Sequence, residues 1–329
     1  MMAKKYISMA TLETVKNTCD AIRHEVGKVV VGYDEVVDDF LVCLITQGHL
    51  FMLGVPGIAK TTLAKTFSQV TGFSWSRIQF TQDLLPSDII GHYYFDQREN
   101  KFLLRTGPIF NDIILADEIN RAPPKTQSAL IEAMQERQVT IEGTTLQLPR
   151  PFLVIATKNP IETEGVYPLP EAQLDRFLYK VDMDYLPRDH ELLMLKRKDE
   201  HHQQTVTPVG VAAVTALIGL HHQIYVDDVI MEYIVDILTE TRKNTHLVLG
   251  GSPRAGEHLL YAAKAYALIH GKSYVIPDDV KMVAPKVLAH RVILSAESEL
   301  EGVSSDKVID DILRLVEAPE MVKSTALSK

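Results

Sequence analysis

The chain has 329 residues, enough for about two domains and a core that needs no covalent staples. Hydrophobic residues make up 46% and charged residues 23%, and 34 basic against 43 acidic side chains leave a net charge of −9. That balance argues against a broad nucleic-acid footprint, though not against a local basic channel in an assembly. Cys19 and Cys43 cannot build a disulfide framework and stand in no zinc-ligand spacing. The N-terminal twenty residues lack the apolar stretch of a signal peptide, and no apolar run approaches the ~20 residues of a membrane span. The expectation is a cytoplasmic protein with no stable membrane insertion.

In chain order, three short apolar runs read as buried strands of a mostly parallel sheet: Leu50–Leu53, Ile113–Ala116 and Phe152–Ala156. Helical patterns lie between them, at Thr61–Val70 and at Lys125–Glu136, where Leu130, Ala133 and Met134 share a face. Strands alternating with helices predict an α/β sandwich over residues 1–187. The texture changes at Tyr185-Leu186-Pro187-Arg188. Residues 188–329 read as a helical domain: Arg188–Lys198, Val209–His222, Asp228–Lys243 with a stripe of Val229, Ile230, Tyr233, Ile234 and Ile237, Pro253–His270 closed by Gly271, Asp278–His290 broken or kinked at Pro285, and Asp306–Val316.

The first strand runs into Gly54-Val55-Pro56-Gly57-Ile58-Ala59-Lys60-Thr61-Thr62 and then a helix, the context of a phosphate-binding loop. Inward-pointing N–H groups wrap a phosphate, the helix N-terminus adds positive potential, Lys60 reaches the β- and γ-phosphates and the Thr61 hydroxyl binds Mg²⁺. Ala59 stands where the general pattern has glycine, at little cost if its backbone is right-handed and under strain at positive φ. The second strand ends in Asp117-Glu118, whose carboxylates point to opposite sides, one toward the Mg²⁺ shell and one toward an attacking water. Solvated acids at a strand end are the plainer alternative. The third strand ends at Thr157-Lys158-Asn159-Pro160, where an amide can orient that water or simply start a turn. Arg176 closes the α/β half. Arg254 opens a helix behind Ser252 as N-cap and Pro253 at the first position, where its charge opposes the helix dipole and is offset by an anion or by solvent.

The order Lys60, Asp117, Asn159, Arg176, Arg254 resembles the AAA+ ATPases. The wording of GVPGIAKT (54–61), QFTQDLLPSDIIG (79–91), GPIF (107–110), LADEINRAPPKTQSALIEAMQE (115–136), TKNP (157–160), YPLPEAQLDRF (167–177) and GGSPRA (250–255) is similar to the MoxR family of the helix-2-insert clade. The resemblance implies a P-loop NTPase fold, a three-layer αβα sandwich followed by an all-helical lid. It implies ATP/ADP and Mg²⁺ as cofactors, with residues 54–62 and Arg254 holding the nucleotide and Val31 and Gly32 lining the adenine pocket. Lys60 and Thr61 correspond to Walker A, Asp117 and Glu118 to Walker B, Asn159 to sensor 1, Arg254 to sensor 2 and Arg176 to an arginine finger acting on a neighbour. The segment 79–107 corresponds to a hairpin-bearing insert facing the pore. Such proteins form hexameric rings that remodel protein clients, often with von Willebrand factor A domain partners. A magnesium-chelatase-like motor subunit, a nucleic-acid motor and an ATP-gated scaffold without catalysis are the competing readings.

Other features carry less. His201-His202 and His221-His222 look metal-like, but neighbouring helical side chains diverge by ~100° and are not expected to chelate together. Tyr93-Tyr94-Phe95 reads as a client-gripping patch or as a buried hairpin strand. Met9, Met52, Met134 and Met194 read as core residues.

Overall fold

The computed structural model describes residues 7–162, 164–199 and 205–320. They form two compact units, one of residues 14–219 and the other of residues 220–320 together with 7–13. His201 and His202 lie outside the described residues.

In chain order, the first unit contains α1 (Met9–Val29, whose first turn groups with the second unit), α2 (Asp34–Thr46), β1 (Leu50–Gly54), α3 (Lys60–Thr71), β2 (Trp75–Gln79), α4 (Pro86–Ile90) and β3 (Gly91–Asp96). It continues through β4 (Lys101–Thr106), β5 (Ile113–Asp117), α5 (Pro124–Glu136), β6 (Gln138–Ile141), β7 (Thr144–Gln147) and β8 (Leu153–Lys158), and ends with α6 (Glu171–Leu174), β9 (Tyr179–Met183), α7 (Arg188–Asp199) and α8 (Val211–Thr215). Five strands make a parallel sheet in the order β2-β5-β8-β1-β9. The apolar runs are continuous because these strands are buried on both faces: every residue of β5 is buried, and all of β8 but Lys158. Phe51, Ile78, Ile114, Val154 and Ala156 share one core with Leu130, Ile131 and Met134 of α5. Their alternates, Leu50, Met52, Ile113, Leu115, Leu153 and Ile155, are equally buried. The chain moves from β1 to strands on both of its sides, which leaves a crevice beyond its C-terminal end, the place where such sheets bind ligands.

Two antiparallel hairpins, β3–β4 and β6–β7, stand apart from the sheet. On the first, Tyr94, Phe95 and Phe102 are exposed, with the Phe95 and Phe102 rings 5.3 Å apart edge to face, while Tyr93 and Leu104 are partly buried against the core, so one face of the hairpin is covered and the other is open. Met52 and Met134 are core residues as expected, whereas Met9 and Met194 lie on the surface.

Residues 188–199 and 205–219, expected with the helical domain, group with the sheet unit: Val209 N–H donates to Val70 O, Arg197 to the carbonyls of Gly27 and Lys28, and Gly219 N–H to Ile45 O. The helix expected over Val209–His222 is interrupted. Gly219 adopts φ 80°, and a separate 3-10 turn follows at Leu220–Gln223.

The second unit holds α9 (Asp228–Lys243), β10 (Leu247–Leu249), α10 (Pro253–Ile269), α11 (Pro277–Leu288), β11 (Ile293–Leu294), α12 (Ala296–Leu300) and α13 (Ser305–Leu315). β10 and β11 pair antiparallel, so this unit is not wholly helical. α9 buries Ile230, Tyr233, Ile234 and Ile237, while Val229 of the expected stripe faces solvent. α10 ends with Gly271 at φ 72°, and α11 continues through Pro285 without breaking. The rings of His221 and His222 do not diverge. Their centroids lie 4.0 Å apart, both against Tyr261, within the 3-10 turn Leu220–Gln223 and not on an α-helix. Among the described residues no helix is long and apolar enough to cross a membrane.

Candidate functional site

β1 delivers a buried Gly54, and the chain turns through residues 55–59 into α3. The turn is tight at its start: a Cβ on Gly54 would lie 2.3 Å from Ile58 Cδ1 and 3.1 Å from Met183 O. Gly57 takes φ 89°. Ala59 takes φ 67° and ψ 18°, the strained of the two conformations considered for it, at a cost of about 1–2 kcal/mol. Ala59 gives α3 no side-chain cap at its positive end. Lys60 is partly buried and its ammonium donates to Gly54 O. Desolvation lowers its pKa, while the carboxylates of Asp117, Glu118 and Glu162 pull the other way.

Asp117 ends β5 and is buried. Its Oδ1 accepts from the Thr157 hydroxyl at 2.6 Å, and its Oδ2 accepts from Arg77 Nε at 2.9 Å and Nη2 at 2.7 Å. At Glu118 the backbone turns left-handed (φ 57°, ψ 49°), and its N–H donates to Thr157 Oγ1 at 2.9 Å. The Glu118 carboxylate accepts from Gln79 Nε2 at 2.8 Å and lies 3.2 Å from Arg121 Nε. Arg121 also grips Glu162 at 2.8 Å and, with Asn159, holds the Glu162 carboxyl below its ordinary pKa. Asn159, just past β8, is buried, and its Oδ1 accepts from Ile161 N–H at 3.2 Å. Lys60, Asp117, Glu118 and Asn159 thus converge at the C-terminal ends of the neighbouring strands β1, β8 and β5.

Within their own elements the other expected residues are placed as follows. Val31 and Gly32 link α1 to α2; Gly32 has φ 80°, and a Cβ there would lie 2.5 Å from His190 Nδ1. Next to them Tyr33 donates from its hydroxyl to Asp184 O at 3.1 Å. Arg176 follows α6, with Nε donating to Ala172 O at 3.3 Å. Arg254 is exposed in the first turn of α10, where Ser252 Oγ accepts from Ala255 N–H at 3.2 Å and Pro253 occupies the first position.

Sequence reasoning missed Arg77, Gln79, Arg121, Thr157 and Glu162. The usable signal was the alternation of Trp75-Ser76-Arg77-Ile78-Gln79, a strand pattern that puts Arg77 and Gln79 on one side and Ile78 in the core. For Mg²⁺, the donors expected from the sequence are few, the Thr61 hydroxyl and the Asp117 carboxylate. That suits an ion that keeps waters and takes phosphate oxygens, and among the described residues no group of three or more His, Cys, Asp or Glu could form a cage.

Residues 49–179 match the profile of the ATPase family associated with various cellular activities, and residues 239–312 match the AAA lid domain. The chain is 44% identical over 303 residues to the uncharacterized protein YeaC of Bacillus subtilis, covering 91% of this chain and 94% of that one. It is 41% identical over 314 residues to Chaperone MoxR1 of Mycobacterium tuberculosis, covering 93% and 83%. A crystal structure of a candidate ATPase from Cytophaga hutchinsonii superposes with a TM-score of 0.88 at 39% identity, over 94% of this chain and 98% of that one. With a parallel P-loop sheet, a separate lid unit and these relatives, the chain belongs to the MoxR family of AAA+ ATPases.

Proposed function

We propose that this ATPase hydrolyses ATP with Mg²⁺ at the C-terminal ends of β1, β5 and β8, and spends the energy on remodelling a protein partner within a homo-oligomeric ring. The observation that carries the reading is the convergence of Lys60, the Asp117–Glu118 pair and Asn159 around the loop that follows β1. Residues 54–62 cradle the phosphates, Lys60 neutralises them, and Val31 and Gly32 border the base. Thr61 and Asp117 would hold the metal, which when bound would supply charge neutralisation at the phosphates. Glu118 takes a proton from the attacking water, which Asn159 orients. Arg254 adds charge to the phosphates, and Arg176 acts on the nucleotide of a neighbouring subunit. A hexamer and a client of the von Willebrand factor A type are the specific forms of this reading. The net charge of −9 weighs against a nucleic-acid motor. The name of MoxR1, a chaperone, supports a protein client.

The test is Glu118→Gln. Loss of a positioned general base removes about 10²–10⁴-fold of the rate. ATP affinity should stay near that of the parent, read by a fluorescent nucleotide analogue. A Glu118→Gln protein that turns over at the parental rate while binding ATP overturns the base assignment.

A further inference from the structure

Asp117 is the carboxylate proposed to hold the metal, yet both of its oxygens are already engaged. Thr157 donates to Oδ1. Arg77 donates two N–H groups to Oδ2, so a guanidinium charge already neutralises the carboxylate that a divalent cation would need. The same Arg77 donates from Nη2 to Gln79 Oε1, which orients the Gln79 amide toward Glu118. Arg77 is about half exposed and rises from β2, directly beside β5 in the register that pairs Gln79 with Asp117. Its side chain can therefore swing into solvent without disturbing the core. Asp117, 7% exposed, cannot move in the same way.

We propose that Arg77 is an electrostatic latch on Asp117 that competes with the divalent cation: it neutralises the buried carboxylate when no metal is present and must withdraw when the metal is loaded. The inference rests on the reading of Asp117 as a metal-holding residue. Thr157, which donates from the opposite side, stays in place in both states. Arg77 sets how much divalent cation is needed for the nucleotide to bind in its metal-loaded form, and so acts as a positioning residue through Asp117.

The experiment measures the affinity of the full-length protein for a fluorescent ADP analogue across a titration of Mg²⁺, and again in EDTA. A parallel titration with Mn²⁺, read by electron paramagnetic resonance of the bound ion, follows the metal directly. Arg77→Gln should lower the half-saturating metal concentration by about tenfold or more, the scale of removing a like charge beside a partly exposed site. Affinity in EDTA should stay within about twofold, since the latch does not touch the nucleotide. Arg77→Lys keeps the charge without the two-pronged grip and should fall between, which also covers the case in which Arg77→Gln folds poorly. With Asp117→Asn already present, Arg77→Gln should produce no further shift. An unchanged or increased metal requirement in Arg77→Gln and Arg77→Lys overturns the latch. A parent protein whose nucleotide binding ignores the metal overturns instead the assignment of Asp117.

Discussion

His49 shows how a single residue ties the site's framework to pH. Its imidazole is fully buried: Nδ1 accepts from Val154 N–H in β8 at 3.1 Å, which leaves Nε2 to donate to Met134 O in α5 at 3.2 Å. A proton on Nδ1 would break the first bond and bury a charge. Desolvation accordingly pushes its pKa down to about 4, the bond to Met134 O opposes this, and nearby Arg137 adds to it. The folded pKa lies below the unfolded one, so between about 6.5 and 4 the unfolded chain holds the extra proton. Stability is present in full above pH 6.5 and falls as the pH drops through that window, by on the order of 3 kcal/mol at its end. Urea midpoints at pH 7 and pH 5 should therefore separate more for the parent than for His49→Gln. An equal pH dependence of the two proteins would refute the account.

At the scale of elements, the turn between α1 and α2 has the least room for change. Gly32 is left-handed and its missing Cβ faces His190 Nδ1 and Leu186 Cδ2, at 2.5 and 2.8 Å. Gly32→Ala should cost about 1–2 kcal/mol for the backbone alone, with the clash added. Because Val31 and Gly32 are the proposed border of the base, the variant should also weaken adenine nucleotides more than inorganic triphosphate. Thermal shifts with each ligand separate the two effects, and equal weakening would place the turn outside the site. The same scale explains what could be read from the chain. β1, β5 and β8 were legible because both faces are buried, leaving unbroken apolar runs that end where the loop and the acidic pair begin. β2 was not, since only Ile78 of its five residues is buried. Arg77 and Gln79 are polar for the same reason that they matter: they face the carboxylates rather than the core. The helix expected over Val209–His222 stops at Thr215, four residues before the left-handed Gly219 whose N–H donates to Ile45 O, and hydrophobic spacing carries no information about either.

At the scale of the whole molecule, the two units are built on different principles, one around a parallel sheet and the other around α9, α10 and α11. The proposed ring adds a level that a single chain lacks. Arg176 is held near its own α6 by a bond to Ala172 O, whereas the carboxylates around Lys60 are already engaged by Arg77 and Arg121. An arginine acting on another subunit requires a head-to-tail contact, in which each copy offers its loop to one neighbour and its arginine to the other. Arg176→Ala and Lys60→Ala should then both lose turnover for different reasons: one keeps an intact loop, the other an intact arginine. Mixed in equal amounts, about a quarter of the interfaces in a randomly assembled ring join an intact loop to an intact arginine, and turnover should return in that proportion. Activity should peak near equal mixing and vanish at either extreme. Absence of recovery at every ratio, with co-assembly verified by mass, would mean that Arg176 serves its own subunit or none.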